Sequence, residues 1–357
     1  MGKDTLDSAK VNKQDEFYTQ FSDIEREINA YLEYNPAVFE GKTVFLPCDD
    51  PEWSSFTRYF AKNFVKLGLK KLISTSFAPN SKPKALAYQP SLFEMESPVF
   101  DESRTYENGK IFVLTGDKTG DGQIDEKDLE WTYLEGDGDF RSEEITKLRD
   151  ESDVIVTNPP FSLFREFLAW ILEGEKQFAL ISNKTAITYK EVFPLIQANK
   201  MWPGNTPMGA DLLFHLPEKV AEEFVKDGKE GSKWKRLDGI VMGRSSSVWF
   251  TNLEHKRRHV DLVLMPAVDN LKHSKNKEFL AVGYQKYVNC DALDVPRVDV
   301  IPGDHMGLMG VPITFLDKYN PDQFELVRFR HGDDGKDLQL PGGRTPFFRI
   351  LIKRKLS

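Results

Sequence analysis

The sequence predicts an α/β protein with a mostly parallel sheet, and three observations carry that prediction. Short apolar runs alternate with segments of helical periodicity. Glycine and proline punctuate the joins between them. One run, Asp153-Val154-Ile155-Val156-Thr157, stops abruptly at Asn158-Pro159-Pro160-Phe161. Strands separated by helices imply right-handed crossovers and helices on both faces of the sheet.

The elements follow in order. Asp23 to Leu32 reads as an amphipathic helix, with Ile24, Ile28, Tyr31 and Leu32 at helical spacing. Thr43 to Pro47 is a short apolar strand. Trp53 to Leu67 reads as a helix carrying Phe56, Tyr59, Phe60, Phe64 and Leu67 on one face, closed by Gly68. Lys71 to Ser74 and Ile111 to Leu114 are further strands. Asp153 to Thr157 is a buried strand, Leu163 to Leu172 a helix, and Gln177 to Ser182 another strand. Past Pro203 the pattern changes: Asp211 to Leu216 and Ser247 to Leu253 read as strands around a helix at Glu218 to Lys226. Beyond Pro266 the chain is expected to be loop-rich, with a last strand at Phe347 to Ile352. A soft boundary near residue 266 divides the chain into 1–265 and 266–357.

Composition excludes several classes. The 357 residues carry a formal net charge of −8 and suffice for a large core. Cys48 and Cys290 lie far apart with no metal-ligand spacing, which points to a reducing compartment without disulfides. No stretch is apolar enough to span a bilayer, and the polar start does not resemble a signal peptide, so the expected location is the cytoplasm. The acidic balance argues mildly against nucleic acid. Basic clusters at Lys233 to Arg236, His255 to His259 and Lys353 to Lys355 nevertheless offer phosphate-facing or simply solvated faces.

The tetrapeptide Asn158-Pro159-Pro160-Phe161 carries the chemistry. Two prolines forbid further sheet pairing and hold the backbone extended. An amide and an aromatic ring are thus fixed at the carboxyl end of a strand, where open α/β sheets bind ligands. The Asn158 side-chain oxygen and the Pro159 carbonyl can accept both N–H bonds of an amine on a planar group such as adenine. Phe161 can stack on its ring. The plainer alternative is a turn without chemistry.

The tetrapeptide matches the Asn/Asp-Pro-Pro-Tyr/Phe motif of the amino-methyltransferases. Phe17-Tyr18-Thr19-Gln20, Phe45 to Trp53, Gly138-Asp139-Phe140-Arg141-Ser142, Asn158 to Glu166, Trp249 to Leu253 and Met309 to Leu316 together resemble the EcoRI-type adenine-specific DNA methyltransferases. The resemblance implies a Rossmann-like fold and S-adenosylmethionine as cofactor. It also implies double-stranded DNA as partner and N6 methylation of a flipped adenine, with target recognition partly in 266–357. It gives cofactor contacts to Tyr18, Thr19, Pro47, Asp49, Asp50, Asp139 and Phe140. RNA adenine, a protein glutamine amide, or an inactive DNA-binding relative are the competing readings.

One further motif stands apart. Asp117, Thr119, Asp121, Gln123, Asp125 and Asp128 follow calcium-loop spacing, with Gly122 at the sharp turn. A structural Ca2+ site and an acidic glycine-rich turn are both compatible with it.

Overall fold

The computed structural model describes residues 18–48, 54–79, 92–124, 126–210, 212–216, 218–330 and 337–355. They belong to two compact units. One comprises Met1–Asn183 and Asp211–Leu253, the other Lys184–Ala210 and Glu254–Ser357. The units alternate along the chain, where sequence reading places a single cut near residue 266.

In the first unit, β1 (Tyr18–Thr19) leads into α1 (Phe21–Tyr34), which turns Ile24, Ile28 and Tyr31 into the core at helical spacing. β2 (Thr43–Leu46) is buried throughout. α2 (Ser55–Lys62) starts where Ser54 Oγ accepts the Phe56 N–H, and buries Phe56, Tyr59 and Phe60. It is shorter than the predicted Trp53 to Leu67, because the Asn63 side chain takes the Tyr59 carbonyl and ends the helix. β3 (Lys71–Thr75), β4 (Lys110–Leu114) and β5 (Glu130–Tyr133) follow. α3 (Glu143–Glu151) is capped by Ser142, whose Oγ accepts the Ile145 N–H. Then come β6 (Val154–Thr157), α4 (Phe164–Glu173) and β7 (Gln177–Asn183). After the excursion into the second unit the chain adds β8 (Leu212–His215), α5 (Glu218–Asp227), β9 (Trp234–Leu237), β10 (Ile240–Ser245) and β11 (Ser247–Thr251).

One sheet holds these strands in the order β5-β4-β3-β2-β6-β7-β11. Its centre, β3-β2-β6-β7, is parallel, as expected. Its flanks are not. β4 pairs antiparallel with β3, β5 with β4, and β11 with β7, so the sheet is mixed. The chain passes from β2 outward to β3, then returns to the other side of β2 at β6. That reversal opens a crevice between the carboxyl ends of β2 and β6, the favoured ligand position in such sheets. Leu46, Phe56, Phe60, Leu72, Val156, Ile181 and Trp249 share one buried core beneath it. A second, antiparallel sheet runs β1-β8-β10-β9.

The second unit corrects the loop-rich expectation for the C-terminal region. Gln285–Lys286, Ala292–Asp294, Leu308–Pro312, Arg349–Arg354 and Phe324–Arg330 form a five-stranded sheet in that spatial order. Most of these strands are short and separated by turns, so their period-2 signal is faint in sequence. The last strand begins at Arg349, leaving Phe347 74% exposed outside it.

Candidate active site

Asn158 follows the last residue of β6 and is half-buried, while Pro159 is buried. Pro160 has φ −55° and ψ 121°, an extended conformation, and its carbonyl accepts the Leu163 N–H at 2.9 Å. Phe161 opens a single 3-10 turn that feeds α4, and it packs on the edge of the core. The strand ends at Thr157, immediately before the prolines, so Asn158 stands at the carboxyl end of β6.

Across the crevice, β2 ends at Leu46 and Pro47 follows, buried, its carbonyl accepting the Thr75 hydroxyl at 3.2 Å. Asp49 and Asp50 lie outside the described residues, as does Phe17. Tyr18 and Thr19 form β1 against His215 and Phe214. The Thr19 hydroxyl is buried with no hydrogen-bond partner among the described residues. A buried polar atom of that kind calls for a ligand or a bound water. The Gln20 side chain donates to the Leu213 carbonyl at 3.0 Å and ties this segment to β8.

The loop before α3 packs against the end of β3. Gly138 has φ +87°, and a Cβ there would stand 2.3 Å from the Ser76 carbonyl oxygen, so only glycine permits this approach. The Ala78 N–H donates to the Asp137 carbonyl at 2.7 Å and fixes the same contact. Asp139 is thereby held beside the β3 end. Its carboxylate is gripped by Arg141, Nη2 donating to Oδ2 at 2.6 Å and Nε to Oδ1 at 2.9 Å. That hydrogen bonding holds the Asp139 carboxyl below its usual range. Arg141 also reaches Glu166 on α4 at 3.5 Å. Phe140 is buried against Phe167 and Trp170, edge to face at 5.1 and 5.7 Å, and anchors the loop to α4. The role of Arg141 is not legible in the sequence beyond the turn signal of the run Gly136-Asp137-Gly138-Asp139 that precedes it.

The calcium expectation finds no support. The Asp117 carboxylate accepts the Gly120 and Gly122 N–H groups, Thr119 donates to it, and Asp121 accepts the Gln123 N–H. Buried Asp128 accepts the N–H groups of Lys118 and Thr119 at 2.8 Å each. These oxygens staple their own loop, and the described residues hold no cluster of ligands for a metal ion; Asp125 lies outside them. The acidic glycine-rich turn is the reading that stands.

The basic run His255 to His259 is solvated only in part, with Lys256 and His259 exposed. His255 and Arg258 are buried. Arg258 bonds Glu254 at 2.8 Å and Asn199 at 2.7 Å, and its guanidinium lies 3.8 Å over the Trp202 ring. His259 meets Glu254 at 2.9 Å, and Arg257 meets Asp317 at 3.4 Å. The run neutralises carboxylates within the second unit.

Comparison with known proteins decides the family. The model of the adenine-specific methyltransferase EcoRI family matches residues 5–355. The chain belongs to that family. It is 41% identical to the type II methyltransferase M.EcoRI of Escherichia coli, over 98% of this chain and 96% of that one. It is 31% identical to the type II methyltransferase M.MpnI of Mycoplasma pneumoniae, over 97% of each. No solved structure matches the chain at a significant level. As a member of the family the protein is a DNA adenine methyltransferase, which sets aside the RNA, glutamine and inactive readings.

Within this family member, Trp249 to Leu253 proves architectural. Thr251 Oγ1 donates to the Phe178 carbonyl at 2.7 Å, and Asn252 accepts the Phe178 N–H at 2.8 Å while donating to the Lys176 carbonyl at 3.1 Å. The motif clips β11 to β7.

Proposed function

We propose that the protein transfers a methyl group from S-adenosylmethionine to N6 of an adenine flipped out of double-stranded DNA. It would do so at a specific sequence, as the modifying half of a restriction–modification pair or a similar system of DNA marking. The observation that carries this reading is the Asn158-Pro159-Pro160-Phe161 turn at the carboxyl end of β6, facing β2 where the strand order reverses. That arrangement supports the Rossmann-like methyltransferase plan.

The residues present suit the cofactor. The Thr19 hydroxyl is a buried donor and acceptor with no partner among the described residues, and the Asp139 carboxylate is a fixed anion able to accept an adenine N–H. Tyr18, Thr19, Pro47, Asp49, Asp50, Asp139 and Phe140 would line its place, Phe140 through the loop it anchors. When bound, the cofactor supplies a methyl group on a positively charged sulfur.

The protein's part is to make a weak nucleophile strong. The adenine amine donates its lone pair into the ring. With one N–H bonded to Asn158 Oδ1 and the other to the Pro159 carbonyl, the nitrogen is drawn toward a pyramidal geometry and the lone pair is freed. Phe161 holds the ring plane so that attack is in line. The C–N bond would form as the C–S bond of the cofactor broke, and the methylated amine would pass its proton to water. Reaching the base requires flipping it from the duplex, which costs a few kcal/mol of stacking. Residues 266–357 would contribute to target recognition. The setting is cytoplasmic, and no helix among the described residues is long and apolar enough to cross a membrane.

Asn158→Ala tests the reading. It should abolish methyl transfer into duplex DNA while leaving affinity for S-adenosylhomocysteine unchanged. Activity near wild type would refute the role of Asn158.

A further inference from the structure

The hairpin of β9 and β10 is built as an arm. Its strands pair from Trp234 opposite Gly243 to Leu237 opposite Ile240. Asp238 and Gly239 close it with φ of +49° and +83°, the left-handed pair of a tight two-residue turn whose twist matches the strands. The base of the arm is anchored, since Trp234 and Met242 are buried. The tip is bare. Leu237 and Ile240, directly opposite each other, are 42% and 54% exposed. Two large apolar side chains side by side on a tip suggest a surface that meets a partner.

The charge on the arm names the partner's chemistry. Between residues 233 and 245 stand Lys233, Lys235, Arg236 and Arg244 against Asp238 alone. Lys233 is paired with Asp227 at 3.5 Å, both of them exposed. Lys235 and Arg236 meet no carboxylate among the described residues; Arg236 lies only over the Trp234 ring, at 5.5 Å. In the run His255 to His259, Arg257, Arg258 and His259 meet carboxylates, whereas these two cations are left over. Adjacent in a strand, they point to opposite faces of the ribbon.

The arm also leaves the sheet at the right edge. Only Ser246 separates β10 from β11, and Ser247 at the start of β11 lies opposite Asn183, the last residue of β7. Thr157, which precedes Asn158, lies opposite Leu180 of β7. The arm therefore springs from the carboxyl edge that carries the catalytic turn. β10 pairs with β8 from Met242 to Ser245, so the free part of the arm is the four steps from Met242 to Asp238, roughly 14 Å at about 3.4 Å per residue.

We infer that the β9–β10 hairpin enters the major groove of the DNA duplex beside the target adenine. The major groove admits a two-stranded ribbon and has a phosphate wall on each side. Lys235 faces one wall and Arg236 the other. Leu237 and Ile240 meet the base edges, where the thymine methyl is the apolar group on offer. The inference rests on the duplex-DNA reading and assigns the contact to this arm.

The test uses the full-length protein and a duplex that it methylates. Each phosphate contact contributes about 0.9 to the slope of log affinity against log salt. Lys235→Ala/Arg236→Ala should therefore flatten that slope by about two units. Leu237→Ser/Ile240→Ser should weaken duplex binding about tenfold and leave the slope unchanged. Both variants should keep wild-type S-adenosylhomocysteine affinity and melting temperature, as their side chains lie on the surface. Wild-type duplex affinity and slope in both would overturn the inference. So would a changed sedimentation of the free Leu237→Ser/Ile240→Ser protein with DNA binding intact, which would make the tip a contact between copies. Failure of the wild-type protein to methylate any duplex would instead sink the reading beneath it.

Discussion

Asp139 and Arg141 hold each other two residues apart, guanidinium on carboxylate through two short hydrogen bonds, at the entrance to α3. Arg141 extends the link to Glu166 on α4, the helix that follows the Asn158-Pro159-Pro160-Phe161 turn. If Asp139 accepts the cofactor's adenine N–H, Arg141 is the residue that orients it. Arg141→Lys keeps the charge but loses the fork. It should raise the KM for S-adenosylmethionine about tenfold with kcat little changed. An equal fall in kcat at saturating cofactor would mean that Arg141 acts on the chemical step.

The same contact sets a pH limit. Arg141 hydrogen bonding keeps the Asp139 carboxyl below its usual range, so the ionised form persists into acid and is lost only as pH falls through the lowered value. Without that partner the carboxyl protonates at higher pH. Arg141→Gln should therefore move the acid limb of S-adenosylhomocysteine binding upward, measured by titration calorimetry across pH. An unmoved limb would exclude Asp139 from the contact.

Gly138→Ala should displace the loop that carries Asp139. The new methyl group would overlap the Ser76 carbonyl, and alanine at φ +87° is strained in any case. Cofactor affinity should fall more than tenfold, and the melting temperature should drop as well. Wild-type affinity would show that the loop plays no part in cofactor binding.

Asn252→Ala removes the clip between β11 and β7 and leaves the Phe178 N–H without its acceptor. The expected cost is about 2 kcal/mol in urea unfolding. Residual native protein should methylate at the wild-type kcat, because Asn252 lies at the opposite end of β7 from the carboxyl edge that carries the proposed site.

Arg258→Ala should destabilise the protein by about 2 kcal/mol, since Glu254, Asn199 and the Trp202 ring lose their shared partner while Glu254 keeps part of its hydration. Its DNA-binding salt slope should match wild type. A flattened slope would return this run to the phosphate-facing class.

Legibility in the sequence tracked how local each determinant was. The strand end at Asn158-Pro159-Pro160 could be read because prolines act on their own backbone, and α1 because its stripe lies within one helix. Ile111 to Leu114 was legible as a strand, but the antiparallel direction of β4 was not, and β5 was missed altogether, since strand direction depends on pairing that no local period encodes. The fate of Arg258 was hidden for the same reason: its partners Asn199 and Trp202 are more than fifty residues away. Arg141 is the intermediate case. Its partner is two residues off, but the glycine that makes their position matter contacts Ser76, far back along the chain.

The interleaved order of the two units has a consequence during synthesis. β7 ends at Asn183, yet the strand that covers its edge begins at Ser247, so the ribosome must add about sixty residues before that edge can close. At roughly 5–20 residues per second the nascent sheet stays open for several seconds. An uncovered edge is a template for pairing with another chain. Crowded expression at high temperature should therefore favour inclusion bodies seeded at β7, and slower growth in the cold should recover the enzyme.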